Sequence, residues 1–381
     1  MKLKITYVRR LRCGLAAGIS ATLALTACNS DTAPRTTSSI GDVVNDGVVA
    51  VQPSAADLAQ PPSAPNAQMQ AVLNQVMASH SLDPSTLSPV AARNQPTPRD
   101  AVIATLAAQG RQAVVEPVGT VVQRTISGAE GPLLARIYTP AGAGPFPVLV
   151  YFHGGGWVLY DIDTYDASCR ALTNAANAIV ISVAYRKAPE HKFPAAANDA
   201  FASYRWALDS AGAINGNPNK VAVGGESVGG NLAAVVSLMA RDQKIKIPVY
   251  QLLIYPVVDF NVDTQSYHDN ANAPFFTRAA GQWAFDKYLR TPADGANPYV
   301  SPLRASLSGL PPATIITSQL GVLRSEGKAY ADKLAAAGVP VVYQNYDGVT
   351  HEFFSMQAVL DQAHAALLLA ADGLKKSFAA P

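Results

Sequence analysis

The chain predicts an α/β protein: a mostly parallel central sheet with helices packed on both faces. Two observations carry this expectation. Short, largely apolar runs without strict alternation recur at Val148 to Phe152, Ile179 to Ala184, Val221 to Val223, Val249 to Ile254, Ala313 to Ile316 and Val341 to Tyr343, as expected of strands covered on both sides. Helix-length segments lie between and after them, near Tyr165 to Ala176, Ala195 to Ala207, Gly230 to Met239, Ala329 to Ala337 and Asp361 to Lys376, the alternation from which parallel sheets are built.

The remaining elements follow in chain order. Residues 1–28 read as a signal peptide, with Lys2, Lys4, Arg9, Arg10 and Arg12 ahead of an apolar, Ala-rich stretch from Leu15 to Ala27 that is short for a membrane span. Leu25-Thr26-Ala27-Cys28 resembles a bacterial lipobox. It implies cleavage before Cys28, lipidation of that cysteine, and attachment to a membrane on the periplasmic side or at the cell surface. Residues 29–66, rich in Ser, Thr, Ala, Pro and Asp, read as a flexible linker. Helical patterning then appears from Ala67 to Met77, with Met69, Val72, Leu73 and Val76 on one face, and again from Val102 to Leu106. These helices are expected to form a cap over residues 67–114. The main domain, 115–381, begins with two segments, Gly119 to Thr125 and Leu133 to Tyr138, around the turn residues Ser127-Gly128 and Glu130-Gly131, an antiparallel pair. The stretch from Tyr255 to Ser301 exceeds what a connection needs, and its Tyr267, Phe275, Phe276, Trp283 and Phe285 are candidates to wall a pocket.

Charge and cysteine content narrow the function classes. Removing the five leader cations takes the formal charge from +2 to −3, and the rest of the chain has no Lys/Arg cluster, so a nucleic-acid partner is not expected. Of the three cysteines, Cys13 would leave with the leader and Cys28 would be acylated. Cys169 would remain as the sole thiol, excluding an internal disulfide framework. No H-E-x-x-H pair, C-x-x-C or P-loop lysine arrangement occurs, and His351-Glu352 lacks the second histidine that zinc would need. No metal or cofactor is therefore expected.

Gly225-Glu226-Ser227-Val228-Gly229 fits G-x-S-x-G between a short apolar strand and a helix rich in small residues. In a nucleophile elbow the glycines permit the tight turn that projects the serine oxygen; alone, the pentapeptide also fits a glycine-rich helix start with a solvent-facing serine. His153-Gly154-Gly155-Gly156-Trp157 follows another predicted strand. Such a loop can curl round a developing oxyanion because no Cβ obstructs it. The N–H groups of Gly155, Gly156 and Val228 are the expected donors, and His153 is expected to support the loop. His351, shortly after the last strand and the Asp347-Gly348 turn, is placed to act as base or to be a loop histidine.

Together with Tyr185-Arg186-Lys187-Ala188-Pro189-Glu190, Phe193-Pro194-Ala195-Ala196 and Gly348-Val349-Thr350-His351-Glu352-Phe353-Phe354, these motifs resemble the hormone-sensitive-lipase-like family of α/β-hydrolases over residues 115 to 378. The resemblance implies the α/β-hydrolase fold and a cofactor-free serine carboxylesterase acting on short- to medium-chain acyl esters, with Ser227 as nucleophile and His351 as base. It also exposes a departure. The family's D-P-L-R-x-E-G pattern reads here Gly321-Val322-Leu323-Arg324-Ser325-Glu326-Gly327, so Gly321 stands where the catalytic acid is expected. Asp347, Glu326 and Glu226 are the candidate substitutes, with turn formation, helix capping and loop support as their alternative roles. If none substitutes, the chain is an impaired esterase, or a binding lipoprotein using the old cleft for a small apolar or aromatic ester.

Overall fold

The structure is a computed structural model describing residues 64–380. The leader, Cys28 and the linker up to residue 63 lie outside the described residues. One sheet contains β1 (Thr120–Ser127), β2 (Pro132–Thr139), β3 (Phe146–Phe152), β4 (Ile179–Ala184), β5 (Gly216–Glu226), β6 (Gln251–Ile254), β7 (Ala313–Ser318) and β8 (Val341–Tyr346). Its order is β1-β2-β4-β3-β5-β6-β7-β8. The β1–β2 and β2–β4 pairs are antiparallel and every other pair is parallel.

The pleat divides the core. On β3, Val148, Val150 and Phe152 enter one apolar cluster, whereas Leu149 and Tyr151 enter the other, as the alternation of strand side chains requires. Before the sheet come α1 (Ala67–Ala78), α2 (Pro89–Arg93) and α3 (Pro98–Ala108); α4 (Asp166–Ala176) and α5 (Ala195–Ser210) precede β5. After β5 come α6 (Val228–Asp242), α7 (Gln265–Asp269), α8 (Arg278–Tyr288), α9 (Arg324–Ala336) and α10 (Asp361–Ala379). Residues of α5, α6 and α9 belong to the first cluster, and residues of α1, α3, α4 and α10 to the second. This is the α/β-hydrolase fold, with N-terminal helical elements ahead of the sheet.

Two departures from the sequence expectation bear on the site. The strand expected at Val221 to Val223 is longer, because β5 begins at Gly216. The long stretch after Tyr255 is ordered around α7 and α8, the latter capped by the Thr277 hydroxyl accepting from the Ala280 N–H at 2.9 Å. Its aromatic residues divide: Phe275, Phe276 and Trp283 face the cavity at Ser227. Tyr267 and Phe285 are buried in the core, and the Phe285 ring lies 5.5 Å from that of Trp157.

Directed polar contacts hold the N-terminal helices. Asn66 caps α1 by accepting from the Met69 N–H at 2.8 Å, and its own N–H donates to the Gly348 carbonyl at 2.8 Å. Arg93 donates to the carbonyls of Val158 at 2.8 Å and Ala188 at 2.7 Å and pairs with Glu190 at 2.7 Å. Thr277 donates to Asp83 at 2.6 Å, joining the start of α8 to the cap. The Glu190 pair is half exposed and contributes little, but the two carbonyl contacts are directional and partly buried. Arg93→Met should therefore lower stability by about 1 to 3 kcal/mol in urea unfolding and speed proteolysis within the cap; unchanged values of both would show that the cap is held by apolar packing alone.

Candidate active site

The parallel strands deliver Phe152, Glu226 and Ile254 to the same edge of the sheet, since Phe152 pairs with Gly225 and Glu226 with Ile254. Ser227 follows immediately with φ 58° and ψ −120°, a conformation costly for a residue with a side chain. The turn is held by the Ser227 N–H donating to Ile254 at 2.9 Å and by the Ser227 carbonyl accepting from Asn231 at 3.1 Å. The flanking glycines are required by space. A Cβ on Gly225 or Gly229 would overlap the Phe152 carbonyl oxygen. The elbow can therefore lie against the end of β3, and the segment continuing from β3 is the glycine loop.

That loop requires its glycines and is anchored. Gly155 and Gly156 have φ of +102° and +62°, and a Cβ on Gly155 would lie 2.5 Å from the Leu159 carbonyl oxygen. Trp157 stacks on Tyr288 with centroids 4.1 Å apart. His153 stacks on Tyr185 at 4.3 Å and its Nδ1 contacts the Gly154 carbonyl at 2.8 Å, while Tyr185 donates to the His153 carbonyl at 2.8 Å. Burial lowers the His153 pKa to about 4. Among the described residues, the N–H groups of Gly155, Gly156 and Val228 donate no hydrogen bond to the protein, and both glycines line the cavity at Ser227. Free amides of this kind can hold an anionic oxygen.

His351 completes the pair. It sits 124 positions after Ser227, and its Nε2 lies 3.0 Å from Ser227 Oγ; both residues are buried. Burial pushes the His351 pKa down to about 3, so near neutral pH the ring is neutral, and its protonated form needs a compensating charge. On its other side, Nδ1 is buried with no hydrogen-bond partner among the described residues. Gly321 lies close by in the chain fold: the Leu320 N–H donates to the Val349 carbonyl at 3.1 Å, joining the turn after β7 to the histidine loop. A Cβ on Gly321 would overlap Ser318 Oγ.

None of the three candidate substitute carboxylates hydrogen-bonds to His351. Asp347 is exposed and accepts from Asn345 at 3.1 Å. Glu326 is buried and accepts from the Val258 N–H at 2.7 Å, supporting the start of the long stretch. Glu226 points into the second core cluster, accepting from Tyr151 at 2.5 Å and from Tyr255. Burial raises the pKa values of Glu226 and Glu326.

A carboxylate outside these three does reach the cavity. Glu352, at φ 68°, lines the same cavity as Ser227 and His351. Its Oε1 lies 3.9 Å from His351 Nε2, and Tyr165 donates to both carboxyl oxygens at 2.9 and 3.0 Å. Burial, then the neighbouring Glu226 charge, raise its pKa to about 8. At neutral pH the 3.9 Å contact thus joins two neutral groups and is not a resting salt bridge. Adjacency to His351 was the available signal, but the tyrosine that holds Glu352 lies 187 positions away.

The space at Ser227 is small, about 20 Å³, and adjoins a cavity of about 410 Å³ beneath the cap, with Leu159, Tyr160 and Phe275 lining both. A larger hollow of about 1040 Å³ around Tyr250, Pro312 and Gly373 has neither Ser227 nor His351 in its lining.

Comparison with known proteins agrees with this geometry. The family model for the alpha/beta hydrolase fold matches residues 149–355, and the chain belongs to this family. Carboxylic ester hydrolase LipN of Mycobacterium tuberculosis is 44% identical over 62% of this chain, which spans just under two thirds (65%) of that relative. An arylesterase of Saccharolobus solfataricus is 38% identical over 62% of this chain and 78% of its own. The solved structure of a hyperthermophilic esterase from Pyrobaculum calidifontis superposes with a TM-score of 0.75 at 35% identity, covering 82% of this chain and 98% of that one. Similarity of this extent to several carboxylic ester hydrolases supports an ester-hydrolysing enzyme.

The tightest packing constraint in the site is testable. Gly229→Ala forces the elbow away from the Phe152 carbonyl and should cost about 1 to 3 kcal/mol in urea unfolding; a fully stable variant would mean that the strand end yields to the elbow freely.

Proposed function

We propose that this chain is a serine carboxylesterase that hydrolyses short- to medium-chain acyl esters through an acyl-enzyme, with Ser227 as nucleophile and His351 as general base. The observation that carries the reading is the 3.0 Å contact between Ser227 Oγ and His351 Nε2 beside the Gly155 and Gly156 amides. His351 Nε2 takes the Ser227 proton as Oγ bonds the ester carbonyl carbon and the carbonyl π pair moves onto oxygen. The N–H groups of Gly155, Gly156 and Val228 receive that negative charge. Collapse breaks the carbon–alkoxy bond, and the proton on Nε2 goes to the departing alcohol. Water, deprotonated by the same nitrogen, then attacks the acyl carbon and frees the acid and Ser227. The small volume at Ser227 favours a short acyl group, and the space beneath the cap suits the remainder of the ester.

Turnover is impaired in this reading, because Gly321 replaces the acid of the family pattern and His351 Nδ1 has no partner. Neutralising the aspartate of a well-studied triad lowers turnover by about 10⁴. The same lone nitrogen favours a second reading, a weakened hydrolase that binds a small apolar or aromatic ester. Hydrolysis of p-nitrophenyl acetate and butyrate by the purified chain, against Ser227→Ala, separates the two. A rate above the variant's supports the esterase, and equal rates leave the binding reading. Gly321→Asp combined with Ser318→Ala, which clears the overlapping hydroxyl, should raise turnover by about 10 to 10⁴-fold, whereas Gly321→Asn with Ser318→Ala should not. Equal gains in both variants, or in neither, would remove the missing acid from the account.

We also propose that the chain is exported and lipid-anchored through Cys28, on the strength of the basic leader and Leu25-Thr26-Ala27-Cys28. Intact-mass analysis after expression in a diderm bacterium should find cleavage before Cys28 with added acyl mass; a soluble product retaining Met1 would overturn it.

A further inference from the structure

Two features of the molecule are unused by the proposed mechanism: the hollow around Tyr250 and Gly373, and the buried carboxyl of Glu352 at the wall of the Ser227 cavity. Only the last combines a reactive side chain with defined geometry toward the reacting atoms. Glu352 stands at φ 68°, where a side chain costs roughly 1 to 2 kcal/mol relative to the right-handed conformation. Its carboxyl is turned inward, with both oxygens held by Tyr165. Tyr165 is fixed in turn against the glycine loop, since a Cβ on Gly154 would overlap its hydroxyl oxygen. The groups facing Glu352 are Tyr165 at the start of α4, Tyr160 after the glycine loop, Glu226 at the end of β5, Tyr255 after β6, and His351. Arg and Lys are absent from this set, so the one cation that forms beside Glu352 in the reaction is the His351 imidazolium.

We propose that Glu352 is the charge partner of His351, acting from the Ser227 side through Nε2 and taking over the electrostatic part of the role that a carboxylate at position 321 would have. The inference rests on the serine esterase reading. When the Ser227 proton arrives on Nε2, positive charge develops 3.9 Å from Glu352 Oε1 in a buried site where such an interaction is poorly screened. An acid at position 321 would additionally orient the ring through Nδ1; Glu352 cannot, because it approaches the opposite nitrogen. It is thus a positioning residue for charge. Only the ionised carboxyl supplies the attraction. Since burial holds the Glu352 pKa at about 8, ionisation and the turnover that depends on it both increase as pH rises through that value.

The test is the pH dependence of kcat for p-nitrophenyl butyrate, corrected for spontaneous hydrolysis, between about pH 6 and 9.5. Wild type should climb with an apparent pKa near 8, and Glu352→Gln should lose that limb and fall about tenfold or more in kcat at the alkaline end, with KM changing less than about threefold. In the Gly321→Asp, Ser318→Ala background, where a second carboxylate serves the same imidazolium, Glu352→Gln should cost under about threefold. A Glu352→Gln variant that keeps the wild-type pH limb, or equal fractional losses in the two backgrounds, would overturn the proposal. If the aspartate background fails to fold, the single variant's pH profile decides alone. A wild-type rate no higher than that of Ser227→Ala would instead strike the esterase reading itself.

Discussion

The site depends on one close approach, that of the Ser227 elbow to the carbonyl end of β3. Only hydrogen atoms fit between Gly225, Gly229 and the Phe152 oxygen. That proximity places the loop continuing from β3 beside the serine, with Gly155 and Gly156 in the wall of the same cavity. Moving the elbow outward by a methyl group would also pull the end of β5 from β3, because Gly225 pairs with Phe152. Backbone packing, more than any side-chain bond, therefore sets the geometry of the proposed chemistry.

Around this packed turn the electrostatics are those of a dry pocket. Three buried carboxyls, Glu226, Glu326 and Glu352, have pKa values raised by burial, and His351 has one lowered. Neutral forms are thus favoured on both sides of the proton transfer. Tyrosines compensate: Tyr151 and Tyr255 donate to Glu226, and Tyr165 to Glu352. A hydroxyl satisfies a carboxyl in either protonation state, because it can donate to the anion or accept from the acid. Such a shell lets Glu226 and Glu352 change charge without leaving either carboxyl stranded.

Much of the fold was legible because its signals are local. Ile179 to Ala184 is apolar apart from Ser182 and coincides with β4, and the Ser227 motif announces its strand and helix in five residues. Other parts depended on distant partners. Gly216 to Lys220 contains the turn-favouring residues Asn217-Pro218-Asn219, yet it extends β5, with Gly216 paired to Phe146 across the sheet. The 278–288 helix was hidden among aromatic residues whose separation into pocket and core positions depends on Trp157 and the cap. The sequence showed that position 321 has no carboxyl but could not show which acid lies nearest His351, since that depends on the direction of side chains from β5, α9 and the stretch after β8.

The hydrogen bond from Asn66 to Gly348 ties the beginning of the cap to the loop that carries His351, three residues further on. Asn66 also caps α1, so the helix and the loop share one hinge pin. Tension or a steric restraint applied to the chain ahead of Asn66 would reach the imidazole-bearing loop through a single residue. The chain entering α1 and the loop that carries His351 are thereby mechanically in series.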